Sequence, residues 1–134
     1  MKLILCLDEK KGMMFNRRRQ SRDALLLADL KATLGGTPLY VLPYSEGLLQ
    51  NSGILYRVAE DPLSAAGEDG LCFLEGPLPR EAEARVDELI LYHWNRHYPA
   101  DLWFTMNMDD FTLSESREFV GSSHEKITKE VWKK

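Results

Sequence analysis

The segment Lys2–Leu7, KLILCL, carries five consecutive apolar side chains and is followed at once by Asp8 and a charged stretch. A strand that is apolar on both faces has to be covered on both faces, which points to a buried, parallel-type strand between helical layers. The run is far too short to cross a bilayer. No small-residue cleavage site follows it, so it does not read as a signal peptide. The expectation is a cytoplasmic protein without membrane association.

Downstream, Leu26, Leu27, Leu30 and Leu34 recur at helical spacing, and Gly35-Gly36 with Pro38 close the helix. Ser21 is the expected N-cap, with Asp23 in the first turn, where a carboxylate complements the helix dipole. Strands are expected over 38–44, 54–58, 71–75 and 87–94, with Pro43 ending the first of these. Residues 59–70 are small, acidic and turn-rich and read as a surface connection; REAEARV after Pro79 reads as a two-turn helix. The C-terminal part alternates polar and apolar residues in FTLSE and ITKEVW, as an antiparallel strand pair does. At 134 residues this makes one domain spanning 1–134. The fold class is α/β: a mixed, mostly parallel central sheet with flanking helices and an antiparallel C-terminal strand pair.

The two cysteines, Cys6 and Cys72, each sit inside an apolar run and read as buried thiols. A net charge of −4 argues against general nucleic-acid binding but leaves room for one basic site. That site is the stretch Asp8–Asp23, DEKKGMMFNRRRQSRD. Arg17, Arg18, Arg19 and Arg22 flank an expected helix start, with Phe15 and Ser21 beside them. Free N–H groups and guanidinium forks together suit a phosphate. His93, His97 and Asp101 recur every four residues, a metal-binding spacing on a helix; here the segment reads as strand and turn, and no metal is expected. In GSSHEKIT (121–128), Ser122 or Ser123 could be paired with His124 as nucleophile and base, but adjacent residues seldom have that geometry and a hairpin turn is the plainer reading.

In order and spacing the chain resembles dihydrofolate reductase. KLILCLDEKKGMMFN is similar to that family's opening strand and loop, and LKATLGGTPLYVL to its first helix and second strand. DGLCFLEGPLPREAEARVDELIL is similar to its later strand, glycine pair, short helix and strand, and ADLWFTMNMDDFTLSESREF to the stretch before its final strands. The resemblance implies the family's fold, with Asp23 or Asp29 at the place of its pterin-binding carboxylate and Asp8 as a further candidate acid. It also marks departures. Leu42-Pro43-Tyr44-Ser45 stands where the family has a glycine-arginine turn that binds cofactor phosphates. Glu75-Gly76-Pro77 replaces its glycine pair, and a carboxylate there is expected to repel a pyrophosphate. Arg17-Arg18-Arg19 stands in for its substrate-loop proline and tryptophan, and the short connection before residue 71 implies that a cofactor-clasping helix is missing.

The function these features favour is recognition of a nucleotide or other phosphorylated ligand through the basic loop 10–22, without dihydrofolate reductase activity. No cofactor is expected, NADPH being the one to consider. An NADPH-dependent reductase with altered substrate is one alternative. A protein that contacts RNA through the arginines, or forms a homodimer through its aromatic C-terminal strands, is another.

Overall fold

A computed structural model describes residues 1–134. β1 (Lys2–Leu7) lies at the centre of a seven-stranded sheet. On one side follow β6 (Leu71–Phe73), β4 (Leu39–Val41) and β5 (Tyr56–Val58), on the other β7 (Glu88–His93), β10 (Ile127–Lys133) and β9 (Thr112–Phe119). Pairing is parallel from β5 through β7 and antiparallel where β10 meets β7 and β9. The sheet is therefore mixed and mostly parallel, as the sequence implies.

The double-sided apolar character of β1 divides the core. Leu3, Leu5 and Leu7 point into one cluster, with Leu89, Leu91, Met13 and Phe104. Ile4 points into the other, with Phe73, Ile90, Tyr92 and the leucines of α1 (Ala24–Leu34). Leu26, Leu30 and Leu34 are the buried face of that helix, while Leu27 is half-buried and Leu25 exposed. Asp23 is the N-cap, not Ser21: its Oδ1 accepts from the N–H groups of Leu25 and Leu26 at 2.9 and 3.1 Å. Gly35 (φ 55°) ends the helix in the left-handed conformation, its N–H returning to the Lys31 carbonyl.

Several elements differ from expectation. The strand at 38–44 is three residues long because Pro43 opens a 3-10 turn (Pro43–Ser45) that runs into α2 (Glu46–Leu49). The 59–70 connection contains α3 (Pro62–Ala66), capped by Asp61. REAEAR forms a 3-10 turn, Arg80–Arg85, in place of an α-helix. The basic stretch is not an open loop. β2 (Gly12–Phe15) and β3 (Arg18–Arg19) form a hairpin, and β8 (Leu102–Trp103) completes a second small sheet. No helix is long and apolar enough to cross a membrane.

Replacing the fully buried Leu30 by alanine is expected to lower unfolding free energy by about 3 kcal/mol. The same change at exposed Leu25 is expected to stay within about 0.5 kcal/mol. Urea denaturation of both variants checks the assignment of the helix face.

Candidate functional site

The hairpin turns through Asn16 (φ 52°) and Arg17 (φ 61°), both left-handed, as a two-residue primed turn requires. Its base is tied by Asp8, which is buried. Asp8 Oδ1 accepts from the N–H groups of Lys10 (2.8 Å) and Gly12 (2.7 Å), and Oδ2 accepts from Gln20 Nε2 (2.9 Å). Gly12 is required here, because a Cβ would enter the Asp8 carboxylate. Asp8 is thereby committed to closing the turn.

This geometry separates the four arginines. Arg19 turns inward and binds Glu75 with two parallel bonds, Nε at 2.8 Å and Nη2 at 3.0 Å. Glu75, with a side chain only 8% exposed, also accepts the Ser45 hydroxyl at 2.7 Å. The Arg19 guanidinium lies 4.5 Å from the centre of the Tyr44 ring, and the Tyr44 hydroxyl accepts the Arg19 N–H at 3.0 Å. Arg17, Arg18 and Arg22 are exposed and form no ion pair. The expected repulsion from Glu75 is corrected by this arrangement, since its charge is neutralised by Arg19.

The Arg19–Glu75 pair borders two spaces. On one side, beyond the carboxyl ends of β4 and β6, is an open cleft of about 460 Å³ lined by Met14, Arg17, Leu42, Tyr44, Gly76 and Asp101 among others. Ligands of open α/β sheets bind at this end of the strands. On the other side is an inner cavity of about 20 Å³, room for one water, walled by Cys6, Leu26, Phe73 and Trp94 with Arg19–Asp23 along it. Burial first, then the Glu75 charge, raises the Cys6 thiol far above its ordinary range despite the opposing pull of Arg19, so it stays protonated. Gln20 also borders this cavity, and its buried Oε1 has no hydrogen-bond partner. The cavity adjoins a groove of about 660 Å³ between α1 and α2, where Arg22 and Lys31 are the charged lining residues.

Beside the inner cavity, Asp23 does more than cap α1. Its Oδ1 accepts from Ser122 N–H (2.9 Å), and its Oδ2 from Ser123 N–H (2.9 Å) and His124 Nδ1 (2.9 Å). The turn between β9 and β10 is thus bound to the helix start. His124 is buried against the Trp94 ring, centroids 4.5 Å apart. Its Nε2 faces Tyr98 Oη at 2.9 Å and Ser21 Oγ at 3.1 Å. Burial alone would raise the Asp23 carboxyl, but the Ser122 and Ser123 N–H groups and the His124 ring outweigh it and hold the group well below the usual carboxylate range.

Asp29 is elsewhere. It faces the sheet from α1, accepting from Tyr92 Oη at 2.7 Å and pairing with Arg117 and Lys129. It does not reach the cleft. His93, His97 and Asp101 do not converge either: His93 Nε2 bonds Glu130 at 2.6 Å, and Asp101 Oδ2 accepts the Asn16 N–H at 3.1 Å.

Compared with solved structures, the chain is similar over 98% of its length to dihydrofolate reductase from Enterococcus faecalis complexed with NADP(H) and RAB-propyl. The match has a TM-score of 0.66 and covers 94% of that chain at 14% sequence identity. The fold is that of dihydrofolate reductase. No family model and no curated protein matches the sequence. At this identity the likeness concerns the course of the backbone, and the residues around the cleft have to be read for themselves. Of the residues expected to form the site, Asp23, Ser21, Arg17, Arg19 and Arg22 border the cleft, cavity or groove, whereas Phe15 and Arg18 border a separate surface beside Tyr98. Glu75 as the partner of Arg19, Tyr44 as its platform, and Tyr98 and His124 as neighbours of Ser21 were not among those expectations. Their partners are 25 to 103 residues distant, and no local pattern announces them.

Two outcomes follow. Arg19→Met, which leaves Glu75 buried and unpaired, is expected to cost about 3 kcal/mol, with much of the loss recovered in Arg19→Met/Glu75→Leu. Thermal and urea unfolding of the cycle measures this. The depressed Asp23 carboxyl contributes stability that is present above the ordinary carboxylate value of about 4 and is lost as pH falls towards its folded-state value. Asp23→Asn is expected to be about 2 kcal/mol less stable than the native chain at pH 7, and the difference should narrow below about pH 4. Unfolding curves from pH 7 to pH 2 test the sign.

Proposed function

We propose that the protein binds a phosphate-bearing small ligand, a nucleotide by the size of the space, in the open cleft, and that it does not perform the dihydrofolate reductase reaction. The observation carrying the binding reading is the Arg19–Glu75 pair. It removes the one buried negative charge at the cleft floor and leaves Arg17 as an unpaired cation at the rim. The Gly76 N–H, on the same cleft wall, donates to no group in the protein and suits a phosphate oxygen. Tyr44 offers an aromatic face, and about 460 Å³ falls within the range of small-molecule sites. Asp101, held against the hairpin turn beside Arg17, also lines the cleft and favours a ligand with hydroxyl or amino donors beside its phosphate.

The absence of reductase chemistry rests on the other side of the Arg19–Glu75 pair. A cavity of about 20 Å³ holds no pterin ring, and both oxygens of Asp23 already accept hydrogen bonds from the helix start, the Ser122–Ser123 backbone and His124. The fold neighbour was solved with NADP(H), which makes NADPH one nucleotide to try.

Isothermal titration with ADP, NADPH and inorganic phosphate tests the binding reading. At least one is expected to bind, with affinity falling about tenfold in Arg17→Ala, or about 1.4 kcal/mol. Arg18→Ala, whose side chain borders a different surface, is expected to bind as the native chain does. No binding by any of the three, or equal binding by both variants, would contradict it.

A further inference from the structure

We propose that Ser21, His124 and Asp23 form an acyl-transfer site that hydrolyses small esters. It is independent of the nucleotide reading and lies on the far side of the Arg19–Glu75 pair. The three side chains come from the approach to α1 and from the β9–β10 turn, and they meet in the order that nucleophilic catalysis requires. Asp23 Oδ2 accepts from His124 Nδ1 at 2.9 Å, which fixes the proton on Nδ1 because a carboxylate only accepts. Nε2 is thereby left as the acceptor, and Ser21 Oγ stands 3.1 Å from it. The imidazole cannot turn away, since it is stacked on Trp94 and buried. Ser21 is partly exposed on the solvent side of the pair, whereas its base, His124, is buried.

Two further features suit this chemistry. The backbone N–H groups of Ser21 and Arg22 donate to no acceptor within the protein, leaving donors beside the nucleophile for the oxygen of a tetrahedral intermediate. Arg22 borders both the cavity and the adjoining groove and makes their shared edge basic. Cys6, the thiol nearest in the cavity wall, is held protonated by burial and is not a competing nucleophile.

In the first half-reaction Ser21 Oγ forms a bond to the acyl carbon while its proton passes to His124 Nε2. The ester C–O bond then breaks; the leaving oxygen departs with the electron pair and takes the proton from Nε2. In the second, water attacks acyl-Ser21, gives its proton to Nε2, and Ser21 leaves with that proton restored. The products are an alcohol and a carboxylic acid, and no redox partner is needed. Tyr98 Oη also lies 2.9 Å from Nε2 and competes with Ser21 for its lone pair.

The test uses 4-nitrophenyl acetate as substrate and an alkyl fluorophosphonate as a serine-directed probe, with the adduct located by tandem mass spectrometry. A burst of 4-nitrophenolate and an adduct on Ser21, not on Ser122 or Ser123, are expected. Ser21→Ala should lose burst and adduct, and His124→Gln should lower both at least tenfold. Tyr98→Phe, which removes the competing hydroxyl, should retain or raise them. Circular dichroism melting accompanies each variant. If His124→Gln fails to fold, Ser21→Ala and Tyr98→Phe still decide. Hydrolysis by Ser21→Ala at the native rate, or no adduct on Ser21 in the folded native protein, would overturn the proposal.

Discussion

The carboxylate of Asp23 is the point on which the arrangement of this molecule depends. A helix start and a hairpin turn each present backbone N–H groups without internal partners, and a single ionised side chain between them satisfies both. The same carboxylate takes the Nδ1 proton of His124 and so orients the ring. Gly121 is part of the fit, because a Cβ at that position would collide with the Asp23 carboxylate. The geometry of the helix entry, the turn and the approach segment Gln20–Arg22 is therefore set together.

A second fixed pair, Arg19 with Glu75, decides what the cleft can do. Within a reductase-type backbone, the residues that run from the hairpin into α1 fill the space next to β1 down to the volume of a single water. The same pair quenches the buried carboxylate and leaves the outer cleft with Arg17 as its cation. One backbone fold has thus been given a small inner pocket, an open outer cleft and a basic groove, each set by side chains near residues 17–23.

Much of the backbone was legible because it rests on local patterns. The two-sided apolar run of β1, the leucine spacing of α1 and the alternation of β10 each state their environment directly, and their order carried the resemblance to dihydrofolate reductase. The β2–β3 hairpin was hidden because Asn16-Arg17 makes a primed turn with arginine where glycine is usual. The helix cap was displaced by two residues because Ser21 and Asp23 are equally good caps by type, and only the contact with Ser122–His124 selects Asp23. The arginines read as one basic site, but alternation along the hairpin and the pull of buried Glu75 send them to different surfaces. His124 read as a turn residue for the same reason: its partner lies 101 positions earlier in the chain.

The most direct measurement of the account is native-state amide hydrogen exchange by NMR on the native chain and Asp23→Asn. If the carboxylate joins the two segments, the amides of Leu26, Ser122 and Ser123 are protected in the native chain and lose protection together in the variant. Amides of central β1 and β7, which answer to the sheet, keep far more of theirs. Ser122 and Ser123 amides that exchange in the native chain as fast as an unstructured turn would contradict it.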